Sequence, residues 1–209
     1  MEPLVQAIVL VEDLPDARRR MEGLGFAVAE GGRHPGRGTA NLIVPFGHQY
    51  LELLAVVDDV EARSSPQGRS VLEALSRRGP GLARWSVEAI DIAATAARIG
   101  HRVECRERVR PDGATVRWRS AGVDAAWAEP WRCAFMAWDD PALHPARFTS
   151  AHPNGATGFA ALDVEVPDRP AALAWIGGDP PDGVTLLPGT DAGPRRLTVS
   201  IPAGLIAVG

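Results

Sequence analysis

The sequence predicts an α+β fold in which a βαβββ unit occurs three times. Three observations carry this. An apolar strand runs directly into a helix entry of the form Asp-x-Pro, at Asp13-Leu14-Pro15 and again at Asp168-Arg169-Pro170. Each helical stretch shows apolar residues at steps of three and four and stops on glycine, at Gly25, Gly100 and Gly177-Gly178. Strand-like runs then follow each helix before the pattern restarts.

In the first unit the strand is Val5 to Val11. Asp13 caps the helix, with Pro15 and Asp16 in its first turn, and Leu14, Ala17, Met21 and Leu24 form its buried face. Strands follow at Phe26–Glu30, Asn41–Phe46 and Gln49–Val57. The linker Ser64–Pro80 holds a short helix, Ser70–Ser76. The second unit opens with Leu82–Glu88, and Ile90, Ala93 and Ala97 repeat the helical face. Its strands are Arg102–Arg108, Ala114–Arg119 and Arg132–Trp138, the first two joined by the turn Pro111-Asp112-Gly113. Asp139–Gly158, rich in breakers, is the second linker. The third unit starts at Phe159, with Ala172, Leu173 and Ile176 on its helix. Its strands are Val184–Leu187, Arg196–Ile201 and Leu205–Val208. One helix covers one sheet face, so the other is left concave and needs a second unit to close it. Units 1–60 and 81–140 therefore pair into a cup within a domain spanning 1–145. The unit at 146–209 packs on that domain or on a partner chain, which would make a homodimer.

At 209 residues and a net charge of −4, the chain reads as an ordinary globule with no basic nucleic-acid surface. No stretch reaches the ~20 apolar residues of a membrane span, and the N-terminus lacks a secretion signal, which predicts a cytoplasmic protein. Cys105 and Cys133 have no motif spacing and read as reduced core residues. The sequence contains no lysine, which excludes Schiff-base chemistry, pyridoxal-phosphate anchoring and a P-loop.

The segment GGRHPGRGTANLIVPFGHQYLELL, Gly31 to Leu54, is the most informative stretch. Alternation puts Tyr50, Glu52 and Leu54 on one strand face and Leu51, Leu53 and Ala55 on the other. If the second face packs on a helix, Glu52 looks into the cup, where a carboxylate needs a partner, a metal or water. The same alternation turns Ile8, Leu10, Arg84 and Ser86 inward and puts Trp85 on the helix side. Trp118, Trp138 and Trp175 read as core aromatics.

Tandem βαβββ units with a Glu in the last strand resemble the vicinal-oxygen-chelate superfamily, and within it the glyoxalase-like domain family. The residues that carry this are Gly31-Gly32-Arg33-His34-Pro35, Gly38-Thr39-Ala40-Asn41 and Tyr50-Leu51-Glu52-Leu53. Arg110-Pro111-Asp112-Gly113 with Trp118-Arg119, and Phe135 to Asp140 leading to His144-Pro145, add support. The resemblance implies a divalent metal held by a His or Gln in the first strand and a Glu in the last strand of each unit. Carried over, these positions are Gln6 and Glu52 in unit one, Leu82 and Ala137 in unit two, and Ala161 in unit three. Gln6 and Glu52 alone do not complete a metal site, so no cofactor is predicted.

Two readings stand for several residues. Glu52 faces the cavity as a functional carboxylate, or forms a structural ion pair with Arg84 or Arg119. Arg84 pairs with Glu52 or awaits a ligand oxygen. His34 orders its turn or touches ligand, and Asn41 satisfies loop backbone or donates to ligand. His48 is a hairpin tip, His101 a helix cap, and His144 and His152 are loop residues. The expected function is binding of a small organic molecule between the units. A metal-independent lyase or isomerase would use Glu52 as base to remove a proton beside a carbonyl, with Arg84 or Gln6 polarising the oxygen. The alternatives are a resistance-type protein that sequesters its ligand, and a divalent-metal lyase or dioxygenase with ligands such as His34 or His144.

Overall fold

The computed structural model describes residues 2–110, 113–148 and 151–208, so the Pro111-Asp112 part of the expected turn lies outside the described residues. Unit one is β1 (Leu4–Leu10), α1 (Leu14–Gly23), β2 (Ala29–His34), β3 (Thr39–Pro45) and β4 (Tyr50–Val56). Helices α2 (Asp59–Ser64) and α3 (Pro66–Arg78) lead to unit two. That unit is β5 (Gly81–Glu88), α4 (Ile92–Arg98), β6 (Glu104–Val109), β7 (Thr115–Ala121), α5 (Val123–Ala128) and β8 (Ala134–Trp138). The third is β9 (Gly158–Val166), α6 (Arg169–Ile176), β10 (Val184–Pro188), β11 (Gly193–Ile201) and β12 (Gly204–Val208).

One capping rule starts the helix of each unit. The carboxylates of Asp13, Asp91 and Asp168 accept backbone N–H groups from the first helical turn, as N-cap aspartates do. The cap, not the alanine-rich pattern, sets where α4 begins. Ile90 therefore lies before the helix and is 81% exposed, and the buried face is Ile92, Thr95 and Ala96. Strand β2 continues through Gly31 to His34, beyond the expected Glu30, because a bulge at Gly31 shifts its pairing with β3 without breaking it.

The first two units share one eight-stranded sheet, in the order β2-β3-β4-β1-β5-β8-β7-β6. Strands β1 and β4 run parallel, as do β5 and β8, and antiparallel pairing of β1 with β5 joins the halves. The sheet curls until its two edges nearly meet. A Cβ placed on Gly32 of β2 would lie 3.9 Å from the Val109 carbonyl of β6. The convex face is packed by α1, α4 and the third unit around Leu51, Leu53, Trp85, Val87 and Phe135. On the concave side an apolar cluster closes each end. One is Ile8, Leu54, Val71 and Trp127, built with α3 and α5. The other is Ile43, Tyr50, Met136 and Trp138, built with the linker residue Ala146.

The third unit keeps the βαβββ element order, but its sheet runs β10-β9-β11-β12, with β10 parallel to β9. Leu162, Val164, Leu197 and Val199 join the convex core, so this sheet backs the cup. Trp175 of α6 packs there too and donates its indole N–H to the Cys133 carbonyl at 2.9 Å. The second linker is pinned by His152. Its Nδ1 accepts from Ala27 N at 2.9 Å, Nε2 meets the Pro45 carbonyl at 2.7 Å, and the ring lies against Phe26 and Phe46. Cys133 is buried as expected; Cys105 is exposed, because the outward face of edge strand β6 has nothing packed on it.

Candidate active site in the cup

Glu52 points inward from β4 and is 8% exposed. The neighbouring side chains hold it through amides. Gln6 of β1 donates Nε2–H to one carboxylate oxygen at 2.5 Å, and Asn41 of β3 donates Nδ2–H to the other at 2.6 Å. Both amides are themselves oriented. Arg108 of β6 donates to Asn41 Oδ1 at 3.0 Å, and a guanidinium can only donate, so the Asn41 NH₂ must face Glu52. Ser86 of β5 donates to Gln6 Oε1 at 2.7 Å and fixes that amide in the same sense. The result is a continuous chain, Ser86–Gln6–Glu52–Asn41–Arg108, that crosses from unit two to unit one and back.

The bulge at Gly31 is needed for this chain. A Cβ at Gly31 would lie 1.9 Å from Asn41 Oδ1, inside the space the amide occupies. Gly38 is required in a second way. It has φ of +66°, and a Cβ there would strike the backbone of Asp58 and Ala62 in the α2 segment. The carboxylate of Glu61 completes that anchorage by accepting Gly36 N at 2.5 Å and Gly38 N at 3.0 Å. The loop carrying His34 and Arg37 is thus fixed against α2.

The hollow between the two apolar clusters has a volume of about 110 Å³. Its polar wall includes Gln6, His34, Asn41, Glu52, Arg84 and Arg108, and Trp118, Trp127 and Trp138 supply aromatic surface. His34 lines the hollow, and its Nδ1 lies 2.9 Å from Thr39 Oγ1 at the base of the turn. Burial pulls its pKa down to about 4, partly offset by Glu52, so the ring is neutral at pH 7. His144 lies outside the polar wall. It stacks on Trp138 with centroids 4.1 Å apart and accepts from Ala146 N at 3.0 Å, and burial lowers its pKa to about 4.

Arg84 is 6% exposed, and its guanidinium lies 5.0 Å from the centre of the Trp127 ring. Glu52 and Arg84 form no ion pair among the described residues, and Arg119 pairs instead with Asp139 at 3.1 Å near the surface. The positions carried over to unit two need correction. Leu82 and Ala137 pack into the convex core, not into the cup. Matching Ile90 to Leu14 displaced the first-strand assignment by two residues, and the bulge between Leu82 and Arg84 turns Leu82 to the convex face. Aligning the capping residues Asp13 and Asp91 instead brings Arg84 to the position of Gln6.

Arg108 and Trp127 were missed in the sequence. Strand β6 is charged on both faces, so alternation gives no inward side. Trp127 sits on a six-residue helix whose only signal is the spacing of Val123, Ala126 and Trp127 after Gly122. Among the described residues no group of three or more His, Cys, Asp or Glu side chains stands close enough to hold a metal.

The family model for the Glyoxalase-like domain matches residues 7–178, from β1 through α6. A hypothetical protein from Staphylococcus aureus shares the fold, with TM-score 0.64 and 15% identity over 99% of this chain and 84% of that one. Methylmalonyl-CoA epimerase from Mycobacterium tuberculosis aligns with TM-score 0.43 and 20% identity, over 65% of this chain and 86% of the epimerase. The Streptomyces coelicolor epimerase in complex with 2-nitronate-propionyl-CoA gives 0.42 and 20%, over 66% and 94%. The comparison with curated proteins gave no match. With a paired βαβββ cup and a family match over most of its length, the chain belongs to the glyoxalase-like domain family.

Proposed function

We propose that the cup binds a small organic molecule and that Glu52 acts on it as a general base, in a lyase or isomerase reaction that uses no metal. The observation that carries this reading is the clamped carboxylate: buried, aimed into a hollow, and held at both oxygens by oriented amides. Each carboxylate oxygen keeps a further lone pair for a substrate proton. In the proposed step Glu52 takes a proton from a carbon beside a carbonyl, and the electron pair of the broken C–H bond moves into the carbonyl to make an enolate. An Arg84 N–H stabilises the oxyanion. Collapse of the enolate either expels a leaving group from the neighbouring carbon or takes the proton back at a different position or face.

Support for metal independence comes from the donors. The oxygens of Glu52 already accept amide N–H groups, the Gln6 carbonyl accepts from Ser86, and guanidinium groups line the same space. A divalent ion would have to displace those donors and stand beside like charge. Treatment with chelator should leave turnover unchanged; loss on chelation and recovery on adding metal would overturn this part.

The test of the base is Glu52→Gln. For any substrate found, turnover and exchange of its acidic C–H with D₂O should fall by about 10²–10⁴-fold, while binding persists. Full exchange in the variant would remove Glu52 from the mechanism. The aromatic walls of Trp118, Trp127 and Trp138 favour one other reading, a protein that holds its ligand without chemistry. Quantitative recovery of unchanged ligand, with no deuterium incorporated, would select it.

A further inference from the structure

The cup holds more positive charge than its own residues use. Arg37, Arg84, Arg106 and Arg108 line it, against the single carboxylate of Glu52. Arg106 is paired with Glu104. His34 contributes no charge at pH 7. Three guanidinium groups therefore remain against one carboxylate, and that carboxylate is already clamped by two amides.

Arg84 is the most exceptional of the three. Its Nε is buried with no hydrogen-bond partner, and no ion pair reaches it among the described residues. Its guanidinium lies over the Trp127 ring, which supports the face and leaves the N–H edge free to point elsewhere. Burial pulls its pKa to about 10 and Glu52 pushes the other way, so it is charged at neutral pH. Arg108 stands beside the hollow with its own Nε unpartnered and one Nη committed to Asn41. A buried cation without an anion is costly, and a folded chain that keeps one inside a cavity has a use for it.

We propose that the molecule bound in the cup is a small carboxylate, and that Arg84, with Arg108 beside it, receives its carboxyl group. This rests on the reading of the cup as the ligand site and adds the class of ligand. A carboxylate matches the planar fork of a guanidinium, and one negative charge brings the local balance closer to neutral. The size agrees. The hollow, about 110 Å³, is of the same order as the ~150 Å³ cavity that accepts benzene, which suits a small ligand. A neutral ligand would leave Arg84 as it is. With the carboxyl group on Arg84, the adjacent C–H stays on the side of Glu52.

Calorimetric titration of the full chain tests this with lactate, malonate, lactamide, malonamide and inorganic phosphate as probes. We expect saturable binding of lactate or malonate and at least about tenfold weaker binding of the matching amide. Arg84→Gln and Arg84→Met should each lose about tenfold or more of the acid affinity. Glu52→Gln, which removes the repelling charge, should bind the acids at least as tightly as the unaltered chain. Amides that match the acids, phosphate binding tighter than both acids, or no acid saturating would each overturn the proposal. So would unchanged acid affinity in a folded Arg84 variant. The acid–amide comparison on the unaltered chain decides the matter even where a variant fails to fold. A Glu52-dependent proton exchange without acid selectivity sinks this inference and leaves the base intact; acid selectivity without exchange does the reverse.

Discussion

The two halves of the cup are built alike and charged differently. Unit one contributes Gln6, Asn41 and Glu52, one carboxylate and the amides that hold it, with the single cation Arg37 from its loop. Unit two contributes Arg84, Arg106 and Arg108 at the facing positions. Gln6 and Arg84 stand at equivalent places before their capping aspartates, so one scaffold position carries an amide in one copy and a cation in the other. The halves also differ in one connection. β3 and β4 are joined by a tight turn at Gly47-His48, whereas β7 and β8 are separated by α5, whose Trp127 supports Arg84. Duplication thus supplied a frame in which opposite charges could be placed on opposite walls, and an added helix on one side made a buried cation tolerable.

Removing that helix side chain should have the largest effect on stability. Trp127→Ala empties the apolar end of the cup and leaves Arg84 without its support, so we expect a loss of about 3–5 kcal/mol in a denaturant titration. A loss under 1 kcal/mol would show that α5 is not what distinguishes the halves. Gly31→Ala attacks the other wall. The new methyl group collides with Asn41, and the expected cost is about 1–3 kcal/mol, together with weaker ligand binding as the Arg108–Asn41–Glu52 chain breaks.

The remaining effect is a pH dependence. His34 and His144 both have pKa lowered to about 4 in the folded chain, by burial first, with neighbouring arginines adding to it. Between that value and the ordinary 6.5 the unfolded chain binds more protons than the folded one, so stability falls as pH drops from about 6.5 to about 4. Below about 4 this contribution levels off. The change is read as a falling melting temperature across that range. His34→Gln should flatten the slope; an unchanged slope would show that His34 is already charged.

Much of this was legible in the sequence. The inward face of Glu52 followed from the alternation of Tyr50, Glu52 and Leu54, because one face of that strand is purely apolar and must meet a core. Arg84 and Ser86 followed from the same rule on the opposite side of Trp85. The rule fails where both faces are polar, and for that reason Arg108 was invisible in β6. The displaced assignment of Leu82 and the misplaced Ile90 share one cause. An alanine-rich helix has little periodicity, and only its capping aspartate marks where it starts. The strand order of the third unit was beyond reach, since βαβββ describes succession along the chain and not which strands become neighbours.

The near-meeting of β2 and β6 has an effect outside the cup. Free strand borders are templates on which other chains can stack, and proteins commonly guard them with lysine, a residue this sequence does not use. Here curvature does the guarding. The two borders of the large sheet look at each other across a narrow gap bridged by Arg108 and Asn41, leaving little room for an intruding strand. The bend that creates a binding chamber also shields the borders of the large sheet.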